Sequence, residues 1–238
     1  MRVVSIGNSF SQDAQRYISQ IAKNYGERLD VINLYIGGCS LNTHYNNLVE
    51  DNNAYELQFN GVNADVKVSI KQALESMPDV ITLQQASKDS VNYKTYKPYL
   101  TELYNYAKKV CPNAKIMLHE TWAYQDGSEK LATLNYTSFD DMFKDVKKAY
   151  KKAQKDFEFD GVLPSGSVMQ TAIKLGLEHS HNDGLHASLG AGRYMLGLTW
   201  FKVLTGIDIT KDKFNNFDEP VTKQERKIII KAVNKIVK

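Results

Sequence analysis

Arg2-Val3-Val4-Ser5-Ile6-Gly7-Asn8-Ser9-Phe10-Ser11 reads as a short buried strand that runs into a sharp turn and then a helix. Val3, Val4 and Ile6 make an apolar, β-branched run of strand length, Gly7 permits a tight turn, and an amphipathic stretch begins directly afterwards. Ser9 falls at that turn. A serine there stands with its hydroxyl above the end of the sheet, and its own N–H, at a helix N-terminus, points toward any negative charge that develops nearby. The competing reading is local: Asn8, Ser9 or Ser11 caps the first helix and does nothing more.

The far end of the chain weighs on that choice. His179-Ser180-His181-Asn182-Asp183-Gly184-Leu185-His186 places Asp183 three residues before His186, just ahead of a helical stretch. At that spacing the carboxylate turns back onto one imidazole nitrogen and leaves the other facing outward, which is what a base for a serine requires. Ile6-Gly7-Asn8-Ser9-Phe10-Ser11, Gly37-Gly38 after the second strand and Asp183-Gly184-Leu185-His186 resemble, in order and spacing, the blocks of the SGNH/GDSL hydrolases, most of all a bacterial subfamily with Gly-Asn-Ser-Phe at the nucleophile. The resemblance spans residues 2 to about 205. It implies Ser9, Asp183 and His186 as catalytic residues and an oxyanion hole of Ser9, Gly38 (Gly37 in the other register) and a side-chain amide from the third strand. The substrates it implies are small O-acyl esters, acetyl groups on carbohydrate foremost, and it implies no cofactor.

The chain departs from that pattern twice. The usual Gly-Asp-Ser is Gly7-Asn8-Ser9, and the usual Gly-x-Asn of the third strand is replaced by Gln84-Gln85-Ala86-Ser87. Glutamine carries the same amide on one more methylene, and strand alternation sends Gln84 and Gln85 to opposite sides, so only one faces Ser9. Gln85, nearer the mouth, is the preferred donor. Trp122, Tyr124 and Tyr45 are expected near the rim as stacking surfaces for sugar, and His181 as a further substrate contact.

The expected fold is α/β: a three-layer α/β/α, flavodoxin-like parallel sheet of about five strands, the SGNH hydrolase fold. The 238 residues, 42% of them hydrophobic, suit one domain over 1–238. Leu29 to Ile36, Asp79 to Gln85, 114–118 and 159–163 read as strands after the first. Segments 12–26, Val66 to Met77, 95–110, 138–156, Leu189 to Leu204 and the C-terminal stretch from Glu225 read as helices. Ser9, Gly38, Gln84 to Ser87 and His119 to Trp122 then share the carboxyl rim of the sheet, where ligands of such sheets gather. Segment 42–63, rich in Asn and Tyr, reads as an inserted hairpin or flap.

Thirty basic and 27 acidic residues give a net charge of +3, with no broad basic face for nucleic acid. The lysines of 147–155 read as a solvated helix face, with aspartates interleaved. Cys39 and Cys111 are expected as free thiols. No run is long and apolar enough to span a membrane, and no signal peptide stands in this chain; a leader removed from the native protein stays open, so no compartment is assigned.

Two other readings compete. His179-x-His181-x-Asp183 followed by His186 has the spacing of a binuclear zinc site, in which a metal would activate water and Ser9 would have no task. Alternatively, the fold is kept without catalysis, as a carbohydrate-binding protein.

Overall fold

The computed structural model describes residues 1–238. In chain order the elements are β1 (Arg2–Ile6), α1 (Ser9–Gln15), α2 (Ile18–Asn24), β2 (Asp30–Tyr35), α3 (Leu41–Glu50), β3 (Tyr55–Phe59), β4 (Val62–Val68) and α4 (Ile70–Leu74). They continue as β5 (Val80–Leu83), α5 (Tyr99–Val110), β6 (Lys115–His119), α6 (Glu129–Thr133), α7 (Phe139–Asp156), β7 (Gly161–Leu163), α8 (Ser165–Lys174), α9 (Ala191–Thr205) and α10 (Lys223–Ile236). No helix is long and apolar enough to cross a membrane.

The sheet order is β4-β3-β2-β1-β5-β6-β7. β2, β1, β5, β6 and β7 run parallel, which is the flavodoxin-like order 2-1-3-4-5 among the parallel strands. β1 lies between β2 and β5, and Val3, Val4 and Ile6 are buried within it. Each such side chain removed from water contributes about 1.5–3 kcal/mol.

The sheet has seven strands rather than five. The extra two, β3 and β4, form an antiparallel hairpin on the outer edge of β2. The expected hairpin or flap over 42–63 is a helix, α3, followed by the hairpin β3–β4, which runs on to Val68 and widens the sheet at its edge. β4 runs on to Val68, so the helix expected over Val66 to Met77 shrinks to the single turn and a half of α4, which Ser69 and Gln72 cap reciprocally. The helix expected over 12–26 is broken at Arg16 and Tyr17 into α1 and α2.

The break frees Tyr17 and Arg16 to bond the C-terminal third of the chain. The Tyr17 hydroxyl meets Leu189 O and the Asp218 N–H, and the Arg16 guanidinium forks onto the Asp218 carboxylate. One turn earlier Asp13, 1% exposed, accepts from the Ala187 N–H at 3.0 Å and from Arg193 Nε at 2.9 Å. Burial pushes the Asp13 pKa up and Arg193 pulls it back, so this carboxylate depends on its partners to stay charged. Asp13→Ala leaves Arg193 with only Asp218 and releases the loop that carries His186. Its stability should fall by about 2–4 kcal/mol in chemical denaturation, against a few tenths for an exposed control such as Lys148→Ala.

Candidate active site

The turn after β1 is set by Gly7 and Asn8. A Cβ on Gly7 would stand 2.1 Å from Ser11 Oγ, so only glycine lets the chain turn here with Ser11 folded back beneath it. Ser11 Oγ accepts from the Asn8 N–H at 2.9 Å and the Asn8 side chain accepts from the Phe10 N–H at 3.0 Å, which caps α1. Ser9 is the first residue of α1. Its N–H is one of the donors a helix start leaves free, and no protein group accepts from it.

The Asn8 amide reaches further than the cap. Its Nδ2 donates to Cys39 O at 3.0 Å, tying the turn that carries Ser9 to the loop after β2, and its Oδ1 also accepts from Gln84 Nε2 at 2.7 Å. Beyond Gln84 the chain of bonds is directional. His119 Nδ1–H donates to Gln84 Oε1 at 2.6 Å, and His119 Nε2 accepts from Ser165 Oγ, which itself accepts from Trp200 Nε1–H. This network assigns the tautomer of a neutral ring. Burial pushes the His119 pKa down to about 3, in keeping with that form.

Across the rim, His186 Nε2 lies 2.9 Å from Ser9 Oγ, and His186 Nδ1 lies 2.9 Å from Asp183 Oδ2. The other Asp183 oxygen accepts the N–H groups of Leu185 at 3.1 Å and His186 at 2.8 Å, so the carboxylate organises its own loop. Lys130 Nζ from α6 sits 3.1 Å from Asp183 Oδ2. Partial burial works to raise the Asp183 pKa, but the bonds from His186 and Lys130 outweigh it and hold the group well below the usual carboxylate range. With a depressed folded value, Asp183 stays ionised through neutral and mildly acidic pH, and its hold on the loop is lost only as pH falls through that lowered value.

Gly38 occupies the left-handed region at φ +64° with open space where a Cβ would stand, so backbone conformation rather than room calls for glycine. Both Gly37 and Gly38 are exposed, and no protein group accepts the Gly38 N–H. Gln85 is not aimed at Ser9. Its Nε2 donates to Thr95 O and lies beside Thr95 Oγ1, while its Oε1 accepts the N–H groups of Leu41 and Ala86. Gln84 is the glutamine on the Ser9 side, but it is 1% exposed and stands behind Asn8 as a support. The preference for Gln85 is thus corrected by its place in the fold, and Gln84 holds the turn from beneath.

The expected aromatic platform is also corrected. Trp122 is fully buried: it stacks on Phe10 with ring centres 3.9 Å apart and planes 5° from parallel, and its Nε1–H donates to Leu185 O at 3.0 Å. Tyr124 is buried with its hydroxyl 2.9 Å from Ser87 Oγ, and Tyr45 packs against Tyr99. His181 is buried too, between Ser180 Oγ and Ala123 O. These side chains are braces. Trp122 joins the residue after Ser9 to the residue before His186, and His181 pins the same loop to the segment after β6. His179 faces Glu225 at the start of α10. His179, His181 and Asp183 therefore do not converge, and no group of three or more His, Cys, Asp or Glu side chains is placed to hold a metal ion. Cys39 and Cys111 are buried free thiols.

Asp13 and Lys130 are residues around the site that sequence reasoning passed over, and Asn8 was read only as a helix cap and a departure from the usual motif. Asn8 with Ser11 three places on carried the signature of a helix cap, and Asp13 was a carboxylate on the apolar face of an amphipathic stretch. Lys130, 53 residues from Asp183, carried no local signal.

This is the architecture of the SGNH hydrolase fold, with a serine at the turn after the first strand facing an Asp-x-x-His loop from near the other end of the chain. The chain belongs to the DUF4886 family, described as a domain of unknown function, whose model matches residues 2–235. A crystal structure of a DUF4886 family protein from Bacteroides uniformis is similar at 32% identity and a TM-score of 0.92, over 99% of this chain and 93% of that one. More distant likenesses concern the fold alone. A protein of Slackia heliotrinireducens proposed to be an SGNH hydrolase has 22% identity and a TM-score of 0.60, over 86% and 98% of the two chains. An acetyl xylan esterase has 15% identity and a TM-score of 0.58, over 86% and 100%. Among curated proteins nothing matches the sequence significantly.

Gln84→Leu should reduce stability by about 1–3 kcal/mol, because it leaves the buried His119 Nδ1–H without an acceptor. Replacing both ends of the bond, in Gln84→Leu/His119→Leu, should cost less than the sum of the single changes by about 1 kcal/mol. Additive losses in denaturant titrations would mean that the bond is not made.

Proposed function

We propose that the protein is a serine esterase that works through an acyl-enzyme on Ser9. One observation carries the reading: Ser9 Oγ, His186 Nε2, His186 Nδ1 and Asp183 Oδ2 form an unbroken chain of contacts at 2.9 Å, brought together from opposite ends of the sequence. Ser9 Oγ attacks the ester carbonyl while His186 Nε2 takes its proton. Asp183 holds the ring with Nδ1–H toward itself and stabilises the cation that forms. The free N–H groups of Ser9 and Gly38 take the negative charge of the tetrahedral intermediate. His186 then returns the proton to the departing alcohol, and water repeats the sequence to release the acid.

The substrate reading is a small acyl group, acetyl foremost, on carbohydrate. Two surface hollows of about 390 and 400 Å³ adjoin the site, one beside Asp183 and Lys130, the other beside Ser40 and Gln85. Neither is lined by Leu, Ile, Val, Met or Phe. A long acyl chain would find little apolar surface there, whereas sugar hydroxyls would meet Ser40, Asn42, Thr95, Gln125 and Ser128. The buried Trp122 and Tyr124 mean that sugar would be held by hydrogen bonds rather than by stacking on those two rings.

A fluorophosphonate should label Ser9, and Ser9→Ala should abolish turnover of a short-chain nitrophenyl ester with the fold intact. His186→Ala should cost several orders of magnitude, and Asp183→Asn about 10⁴-fold by analogy with serine proteases. Labelling of a different serine, or full turnover by Ser9→Ala, would overturn the proposal.

A further inference from the structure

The face that α7 turns to solvent is strongly one-signed. Between Asp145 and Asp156 the helix carries Lys147, Lys148, Lys151, Lys152 and Lys155 with no acidic residue among them. Of the aspartates expected to interleave, Asp140 and Asp141 occupy the first turn, Asp145 stands between Lys144 and Lys147, and Asp156 ends the helix. Lys144 and these five lysines surround a hollow of about 740 Å³, and Asp156 is its one acidic member. None of the six lies within ion-pair distance of a carboxylate. Like charges packed on successive turns repel one another, and a helix that needed only a soluble face would gain from alternating signs.

The patch continues toward the site. Lys152 Nζ lies 4.9 Å from the centre of the Tyr93 ring and Lys97 Nζ 5.6 Å from it, so one ring connects α7 to the segment between β5 and α5. Asp156, the acid at the junction, is occupied by Lys97 at 2.7 Å and by the Tyr93 hydroxyl. Lys97 and Lys94 in turn line the hollow that holds Gln85 and Ser40, the latter two residues past Gly38. The acids along this path are few: Asp156 at the junction, Asp89 in the second hollow, and Asp145, which the Tyr136 hydroxyl meets.

We propose that this basic track, from Lys144 to Lys155 of α7 through Lys97 and Lys94, binds an anionic polysaccharide and delivers its acyl groups to Ser9. The proposal rests on the esterase reading for its final step but not for binding. The occupant follows from the lining. Neither hollow on the path has an aliphatic or phenylalanine wall to take a lipid chain or the apolar face of a partner helix, and flexible lysines suit carboxylates or sulfates strung along a hydrated chain. Continuity with a hollow of hydroxyl and amide side chains beside the oxyanion turn favours a sugar polymer over any other polyanion.

The test separates binding from turnover. Binding of the full-length protein to de-esterified polygalacturonate is measured by titration calorimetry beside neutral xylan, duplex DNA and vesicles rich in phosphatidylserine. Polygalacturonate should bind best, and its affinity should fall on the order of tenfold from about 0.01 M to about 0.15 M salt as the screening length drops from about 30 Å to about 8 Å. Lys148→Glu/Lys151→Glu/Lys152→Glu should lose that binding, yet hydrolyse a small nitrophenyl ester at the wild-type rate. Equal retention of xylan and polygalacturonate, or a triple variant that binds as the parent does, would overturn the proposal. So would tighter binding to DNA or to vesicles. If the small ester is not hydrolysed while polygalacturonate still binds in a lysine-dependent way, the esterase reading fails and the track stands.

Discussion

The side-chain amide of Asn8 meets three separate stretches of chain: Phe10 at the start of α1, Cys39 after β2 and Gln84 after β5. Those stretches carry Ser9, Gly38 and the support beneath them, so a single buried amide fixes the spacing between a hydroxyl and the backbone donor opposite it. An ionised aspartate at this place would set a carboxylate oxygen against Cys39 O and have no proton to donate to it. Asparagine supplies a donor and an acceptor at once, and the acceptor is shared with Gln84. Asn8, where the resembling pattern has Asp, and Gln84, in the segment that stands in place of Gly-x-Asn, are joined by a direct hydrogen bond. Each residue completes the other's hydrogen bonds. Both sit in the core at 2% and 1% exposure, where an unmade bond is costly.

A second set of contacts sets the distance across the site. The His186 loop is held by Asp13 through Ala187, by Trp122 through Leu185 and by His181 through Ala123. Asp13 and the Phe10 partner of Trp122 both belong to α1, the helix that Ser9 begins, so the two halves of the site are referred to one rigid element. A hydroxyl and an imidazole 177 positions apart in sequence meet at 2.9 Å because the loop that carries His186 is tied to the helix that Ser9 begins. Misplacement of about 1 Å in such an array costs on the order of 10² in rate.

The parallel order, the strand-turn-helix at Ser9 and the pairing of Asp183 with His186 were legible in the sequence. β-branched runs, glycines and a three-residue spacing each leave a local signature. The hairpin β3–β4 was only half legible. Tyr55 to Phe59 alternated as a strand should, but Val66 and Val68 fitted a helix face equally well, and pairing with Tyr55 and Glu56 decided the matter. The glutamines showed the limit of parity arguments: alternation separates Gln84 from Gln85 but does not say which side faces α1. Trp122 and Tyr124 follow a strand that ends at the rim, and their position along the chain did not reveal that β6 delivers them inward, beneath Phe10 and Ser87. The binding role expected of their rings becomes a bracing role, because a large aromatic at the junction of loop and core gains more from burial than from exposure.

The central claim is that Ser9 Oγ, lined up with His186 and Asp183, forms a covalent intermediate. Rapid acid quench of the protein with excess activated acetyl ester, followed by mass spectrometry of its peptides, tests this directly. The account predicts a transient gain of one acetyl group on the peptide that contains Ser9, in step with release of the first equivalent of alcohol, with longer-lived adduct in His186→Ala if any forms. Steady release of alcohol with no acetyl on that peptide at any time, or acetyl on a different side chain, would contradict it.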